Sequence, residues 1–356
     1  MAINNLKRAK RIKNDEFYTQ WKDIEKEVLA YINYNPDVFK NKTILLPCDD
    51  PETSNFTKFF ARNFETFGLK KLVSTSYAYE SKNFELYCPH TPFEQSSPCF
   101  DINKAKIKGR IFTLDYDTNK NRAIDIEKLE WEYLDGNGDF RSDEVKKLRD
   151  EADIIITNPP FSLFREFLAW VIENDKQFII IGSKNCITYK EVFPLLKENK
   201  VWIGTTSFSK DMLFIPPFVI DSKEFPRSAT RIVKGTVYFR SPAVWFTNIE
   251  HGRRHQPLQL MTMAENIKYS KHKEIKGGGY QKYDNYDAIE VPFTDAIPSD
   301  YNGIMGVPIS FLDKYCPEQF EILGDSRYHD GKTDAEDINI INGKVLYRRI
   351  LIKKRG

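Results

Sequence analysis

The chain has 356 residues, 41% hydrophobic and 29% charged, with 17 Gly and 18 Pro; this suffices for one large domain or two ordinary ones and excludes a disordered or fibrous chain. The formal net charge is +2, which neither demands nor excludes nucleic acid, because a basic face can coexist with an acidic one. Cys48, Cys88, Cys99, Cys186 and Cys316 are odd in number and lack the close spacing of a zinc site; with no signal peptide and no apolar run near the ~18 residues that span a bilayer, the expectation is a reduced, soluble, cytoplasmic protein without a metal.

In chain order, residues 1–14 form a basic arm with Lys7, Arg8, Lys10, Arg11 and Lys13, either solvated or in contact with phosphate. Trp21, Ile24, Val28, Leu29 and Ile32 then recur at helical spacing. Residues 42–47 read as a short buried strand, followed by a polar turn over 48–55 and an amphipathic helix carrying Phe56, Phe59, Phe60 and Phe64. Residues 71–76 are a second strand, and residues 80–105, with Pro89, Pro92 and Pro98, an irregular insertion. A strand over 110–114 leads through a polar stretch to the turn at 135–139 and a charged helix over 143–150.

Residues 153–157 are a compact apolar strand. Ser162 is a plausible N-cap for the next helix, with Phe164, Phe167, Leu168, Val171 and Ile172 on one face. A strand over 178–182, a helix near 190–198 and a strand over 201–203 follow. Short apolar strands alternating with helices predict an α/β fold with a parallel sheet covered on both faces. After Gly204 the chain carries more prolines, aromatics and short strand-like runs, at 235–239 and 244–246. Residues 338–354 read as a hairpin turning on Asn342 and Gly343.

Asn158, Pro159, Pro160 and Phe161 are the most informative residues. By composition such a tetrapeptide arises by accident on the order of once in a few hundred chains of this length. It lies just past the carboxyl end of a buried strand, the edge where open α/β sheets bind ligands. Its chemistry suits an exocyclic amino acceptor such as adenine N6. That nitrogen is a poor nucleophile and must leave the base stack before a methyl donor can approach in line. The Asn158 side-chain oxygen accepts one amino hydrogen and a backbone carbonyl, that of Pro159, the other, favouring positive charge on nitrogen during transfer. The two prolines fix the backbone, and Phe161 offers a face for stacking.

The segment from Asp153 to Glu166 resembles the catalytic segment of the EcoRI-type adenine-N6 DNA methyltransferases. Residues 15–20, 48–51 with 54–56, 138–142, 187–193, 282–288 and 301–308 fit the same family in the same order. The resemblance implies a Rossmann-like methyltransferase fold, S-adenosylmethionine as cofactor, double-stranded DNA as partner, monomeric action, and a separate cognate restriction endonuclease, with GAATTC the first target to test. It also implies a cofactor segment at Phe17, Tyr18 and Thr19. The turn that should hold the cofactor, with Asp49, Asp50, Pro51 and Asn55, contains no glycine, unlike the wider methyltransferase pattern; either Asp49 or Asp50 suits the cationic α-amino group. Asp139 and Phe140 match the segment that meets the cofactor's adenine. Residues 74–76 lack an acid for the ribose and Glu80 lies further on, so the ribose contact stays open.

Residues 204–300 are expected to be the target-recognition region, with strands that complete the sheet. Lys268, Lys271, His272, Lys273 and Lys276 precede three glycines, with Tyr280, Tyr283 and Tyr286 beyond. Arg253 and Arg254 form a second basic stretch between His251 and His255, whose spacing makes a weak metal site. Such clusters neutralise phosphates. Trp245 and Phe246 fit either a place beside an extruded base or strand core. The expected organisation is an arm over 1–14, a catalytic domain over 15–203, the recognition region over 204–300 and a C-terminal segment over 301–356. The competing readings are a methyltransferase for RNA or cytosine N4, and an inactive DNA-binding protein.

Overall fold

The computed structural model describes residues 18–78, 100–116, 126, 129–215, 228–327 and 337–355. The basic arm, Phe17, Glu80 and most of the insertion expected over 80–105 lie outside them. The chain forms two compact units, one from the residues up to Cys186 with Lys210–Ile249, the other from Ile187–Ser209 with Glu250 onward. Among the described residues no helix is long and apolar enough to cross a membrane.

The first unit begins with β1 (Tyr18–Thr19) and α1 (Trp21–Tyr34). Helix α1 buries Ile24, Val28 and Tyr31, but Leu29 is 42% exposed; it lies one residue past Val28, about 100° around the helix. Strand β2 (Thr43–Leu46) is buried at every position. Ser54 caps α2 (Asn55–Arg62) by accepting from the Phe56 amide, and the helix turns Phe56, Phe59 and Phe60 inward. Next come β3 (Lys71–Ser76), α3 (Ile102–Ile107), β4 (Arg110–Asp115), β5 (Glu132–Tyr133), α4 (Asp143–Glu151), β6 (Ile154–Thr157), α5 (Phe164–Ile172) and β7 (Gln177–Ser183). Ser162 is not the cap of α5. A single 3-10 turn over Phe161–Leu163 intervenes, and α5 starts after Leu163 without a side-chain cap.

The next stretch belongs to the second unit and carries α6 (Phe193–Lys197) and β8 (Trp202–Ile203). Helix α6 is shorter than the helix expected near 190–198. Pro194 lacks an amide hydrogen and fits only the first turn, so the helix starts there. The chain then returns to the first unit as β9 (Met212–Ile215), β10 (Thr230–Val233), β11 (Thr236–Ser241) and β12 (Ala243–Thr247).

Within the first unit the large sheet runs β5-β4-β3-β2-β6-β7-β12. The pairs β3–β2, β2–β6 and β6–β7 are parallel, whereas β4, β5 and β12 are antiparallel to their neighbours. The sheet is therefore mixed, not parallel throughout. Strand β4 alternates buried Arg110, Phe112 and Leu114 with more exposed Ile111 and Thr113, as a half-covered antiparallel strand does. The five-rung ladder of β12 on β7 draws residues 210–249 into this unit, so the boundary expected after 203 does not hold. Trp245 and Phe246 are fully buried, Trp245 edge-on to Phe56 at 5.9 Å and Phe246 against Phe164 at 4.9 Å, which makes both of them core. A second sheet, β1-β9-β11-β10, is antiparallel throughout.

The second unit continues with α7 (Met263–Tyr269), started by a capping box between Thr262 and Glu265. Its main sheet runs β13 (Ala288–Glu290), β14 (Ile304–Pro308), β18 (Arg349–Lys354), β15 (Phe320–Asp325). The short strands β16 (Ile340–Ile341) and β17 (Lys344–Val345) pair across Asn342 and Gly343, both at positive φ, as a type I′ turn requires. Only this tip is a hairpin; β18 leaves it to pair with β14 and β15.

Candidate active site

Strands β2 and β6 are parallel neighbours, so their carboxyl ends open onto one edge of the sheet. Buried Asp49 joins the loops that leave them. One of its carboxylate oxygens accepts from the Ser54 hydroxyl at 2.6 Å and the other from the Thr157 hydroxyl at 2.6 Å. The Asp49 amide donates to the Thr75 carbonyl at 3.0 Å, and its own carbonyl accepts from Ser74. Thr57 and Ser74 share a hydroxyl contact of 2.7 Å. A buried polar network thus ties three strand ends together, and such networks specify geometry because each unmade bond is costly.

The turn after β2 manages without glycine because Asp50 does the turning. Its Oδ1 accepts from the amides of Glu52 at 3.0 Å and Thr53 at 3.2 Å and from the Thr53 hydroxyl at 3.1 Å, an Asx turn. Arg110 on β4 braces the turn, reaching Asp50 at 3.3 Å and Glu52 at 3.2 Å while lying 4.5 Å over the Trp131 ring. Trp131 donates to the other Glu52 oxygen at 2.6 Å. Pro51 is buried beneath the turn. The Asn55 amide group donates to the Thr19 carbonyl at 2.7 Å, which brings the segment before α1 against the same turn. Thr19 is buried and Tyr18 half-buried; the Thr19 hydroxyl has no hydrogen-bond partner among the described residues.

Asn158 and Phe161 are half-buried and Pro159 is buried, directly beyond Thr157. The Pro160 carbonyl accepts from the Leu163 amide at 3.0 Å and closes the 3-10 turn. The Phe161 ring meets Phe214 of β9 edge-on at 6.3 Å. Since Phe214 pairs with Thr19 across β1 and β9, the loop, the turn and the segment before α1 converge in one unit.

Asp139 and Phe140 occupy the loop before α4. The Arg141 guanidinium grips Asp139 through two bonds, 2.9 and 2.7 Å, and reaches Glu166 at 3.1 Å. These bonds hold the Asp139 carboxyl below the usual carboxylate range. Phe140 is buried edge-on between Phe167 at 5.1 Å and Trp170 at 5.6 Å, with Arg141 over its ring at 5.4 Å. It is a core residue, which corrects its expected role as a stacking face for the cofactor. Gly138, at φ +77°, passes so close to β3 that a Cβ would lie 2.1 Å from the Ser76 carbonyl oxygen.

The basic residues of the second unit divide. Arg254 is buried, stacked 4.1 Å over Trp202, paired with Glu250 at 3.2 Å and bonded to Asn199 at 2.8 Å; burial lowers its pKa. Tyr283 is buried with its hydroxyl on Glu290 at 2.6 Å, and Glu290 also holds Arg349 at 2.7 Å. Neither side chain is available to a phosphate, which corrects the expectation for both. Arg253 pairs with Asp313 at 3.3 Å, and the Tyr280 hydroxyl donates to the Ala296 carbonyl. Lys268, Lys271, Lys273 and Lys276 are exposed, although Lys271 meets Asp295 at 2.7 Å and Lys268 lies over Tyr269 at 4.9 Å. His255 sits between Glu250 and Glu318, while His251 bonds the Ile203 carbonyl. Among the described residues no group of three or more metal-type ligands converges.

Sequence reasoning missed Thr157, Ser74, Arg110, Glu52 and Trp131 as parts of this site. The one visible signal was a hydroxyl at the last positions of otherwise apolar strands.

The family described as adenine-specific methyltransferase EcoRI matches residues 5–355. The type II methyltransferase M.EcoRI of Escherichia coli is 40% identical over 352 residues, covering 98% of this chain and 96% of that protein. The type II methyltransferases M.MpnI of Mycoplasma pneumoniae and M.MgeORF184P of Mycoplasma genitalium are 34% and 35% identical over 367 residues, each covering 99% of both chains. No solved structure matches. With the loop at Asn158 locked to the turn at Asp49 and a match running almost end to end, this chain belongs to the EcoRI family of adenine-specific methyltransferases.

Proposed function

We propose that the chain transfers a methyl group from S-adenosylmethionine to N6 of an adenine extruded from duplex DNA, as the modification enzyme of a type II restriction–modification system. The observation that carries the reading is the pair of hydroxyl bonds on Asp49, which fixes the donor turn and the acceptor loop to one carboxylate. The parallel run β3-β2-β6-β7 supports a Rossmann-like fold, with the donor and acceptor segments at the carboxyl end of β2 and β6.

The residues present fit the donor. The turn carries two acids suited to a cationic amino group, and the buried Thr19 hydroxyl beside it has bonding capacity to spare. Tyr18, Thr19, the turn from Asp49 through Pro51 to Asn55, and Asp139 would hold the cofactor, with Phe17 just ahead of the described residues. S-adenosylmethionine, when bound, supplies an electrophilic methyl group. Asn158 and the Pro159 carbonyl orient the adenine amino group by accepting its two hydrogens, and Phe161 packs against the base. No strong base is needed, because methylation itself acidifies the amino group. Exposed Lys268, Lys271, Lys273 and Lys276 supply salt-dependent attraction to DNA phosphates.

Incubation of duplex DNA with methyl-labelled S-adenosylmethionine, followed by nucleoside analysis, tests this. Labelled N6-methyladenine is expected; label on cytosine only, label on RNA only, or no label refutes it. The variant Asn158→Ala should keep cofactor affinity and lose transfer by roughly 100-fold or more, the scale of losing one preset donor or acceptor.

A further inference from the structure

The basic and aromatic clusters expected between His251 and Tyr286 to meet DNA all lie in the second unit. The first unit carries a separate candidate, the ribbon of β10 and β11. Its register pairs Thr230 with Phe239, Arg231 with Tyr238, Ile232 with Val237 and Val233 with Thr236. Lys234 and Gly235 close it, both at positive φ, in the geometry that follows the twist of a two-residue hairpin.

Ile232 is 60% exposed and Val233 36% exposed. Adjacent strand residues point to opposite faces, so neither face of the ribbon end is covered. Arg231, Lys234, Gly235 and Thr236 are exposed as well. From Ser228 to Phe239 the only ionisable groups of full charge are Arg231 and Lys234, with no acid. Neither makes an ion pair among the described residues. Among the described residues the ribbon thus ends in two exposed aliphatic side chains flanked by two cations without an ion-pair partner.

Its root is fixed. Phe239 is buried and pairs with Phe214 of β9. Phe214 in turn pairs with Thr19 and meets the ring of Phe161. One continuous sheet therefore joins the ribbon to the donor segment, and the Phe161–Phe214 contact links that sheet to the acceptor loop. Three residues beyond Phe239, at ~3.4 Å each, carry the tip roughly 10 Å away from that root.

We infer that this ribbon is a DNA-reading element that enters the major groove beside the target adenine, a proposal resting on the DNA methyltransferase reading above. The major groove, about 12 Å wide, admits a two-stranded ribbon. Arg231 and Lys234 meet phosphates on its walls, and Ile232 and Val233 meet base edges, where aliphatic groups favour the thymine methyl. Because Phe161 of the acceptor loop packs on Phe214 of the ribbon's sheet, a shift in reading register displaces the target base from Asn158.

The test uses the full chain and the duplex that the wild type methylates, identified by sequencing methylated DNA. Affinity is measured over roughly 50–200 mM salt, where each neutralised phosphate contributes ~0.9 to the slope of log affinity against log salt. Arg231→Gln with Lys234→Gln should lower that slope by about 1.8, and Arg231→Lys with Lys234→Arg should restore it. Ile232→Ser with Val233→Ser should cut discrimination against single-base variants of the site about tenfold or more. Both sets leave the thermal midpoint and cofactor affinity unchanged. Wild-type slope and discrimination within twofold in correctly folded variants would overturn the inference while leaving the methyltransferase reading intact. Absence of DNA methylation by the wild type itself would refute both.

Discussion

Replacing Thr157 by valine removes one hydroxyl and keeps the shape of a fully buried side chain. That hydroxyl donates to Asp49 at 2.6 Å, and Asp49 is itself buried. Hydrogen bonds to charged groups contribute ~1.5–3 kcal/mol, and a buried acceptor deprived of its donor costs a similar amount. The Ser54 hydroxyl remains on the other carboxylate oxygen, so the carboxylate keeps part of its solvation and a loss of about 2 kcal/mol in unfolding free energy is expected. The catalytic consequence should exceed this, because Asn158 follows Thr157 directly. A misplacement of ~1 Å in a positioning group costs ~100-fold in rate. The expected results are a single-turnover methyl transfer slowed ~10–100-fold, weaker cofactor binding through the Ser54 side of the same carboxylate, and recovery of both in Thr157→Ser. Urea unfolding, cofactor titration and rapid-quench transfer of labelled methyl measure the three quantities. If Thr157→Val keeps wild-type stability and transfers methyl within twofold of the wild-type rate, Asp49 does not couple the two loops and the reasoning fails.

Gly138→Ala should destabilise the first unit, by ~1–3 kcal/mol from backbone conformation alone and further from the 2.1 Å approach to the Ser76 carbonyl; an unchanged thermal midpoint would contradict the described path of this loop. Arg254→Met should lower stability by roughly 1–3 kcal/mol, through the lost bonds to Asn199 and Glu250, and leave the salt dependence of DNA binding unchanged. A shallower slope would return Arg254 to the DNA interface. His251 is buried, and this lowers its pKa to about 4. The folded state is then harder to protonate than the unfolded chain at ~6.5, so the stabilising effect is complete above pH ~6.5. It declines as pH falls toward about 4, by on the order of 3 kcal/mol in all. Unfolding of wild type and His251→Gln over this range should show the extra acid sensitivity only in the wild type; parallel curves would refute the assignment.

Much of this protein was readable from local signals. Continuous apolar runs at β2, β6 and β7 announce buried strands, because a strand covered on both faces has no solvent side to mark. Ser54 announces a helix start, and Asn342 with Gly343 announces a type I′ turn, because each acts within a few residues of itself. Asn158 to Phe161 stood out as a rare tetrapeptide at a strand end. The reach of a basic side chain was not readable. Arg254 and Lys273 look alike in the chain, yet Arg254 is buried over the Trp202 ring with Glu250 beside it and Lys273 lies in solvent.

By itself, then, the sequence determined the buried strands β2, β3, β6 and β7, singled out the loop at Asn158 and pointed to the family, all of them properties of contiguous residues. Only the tertiary structure decided that β12 runs antiparallel into the first sheet, that Phe140 and Tyr283 are core, and that Asp49 holds Thr157 from 108 positions away. The physical reason is separation. Hydrogen bonds and burial act over a few ångströms in space, and the partners that use them here are scattered along the chain.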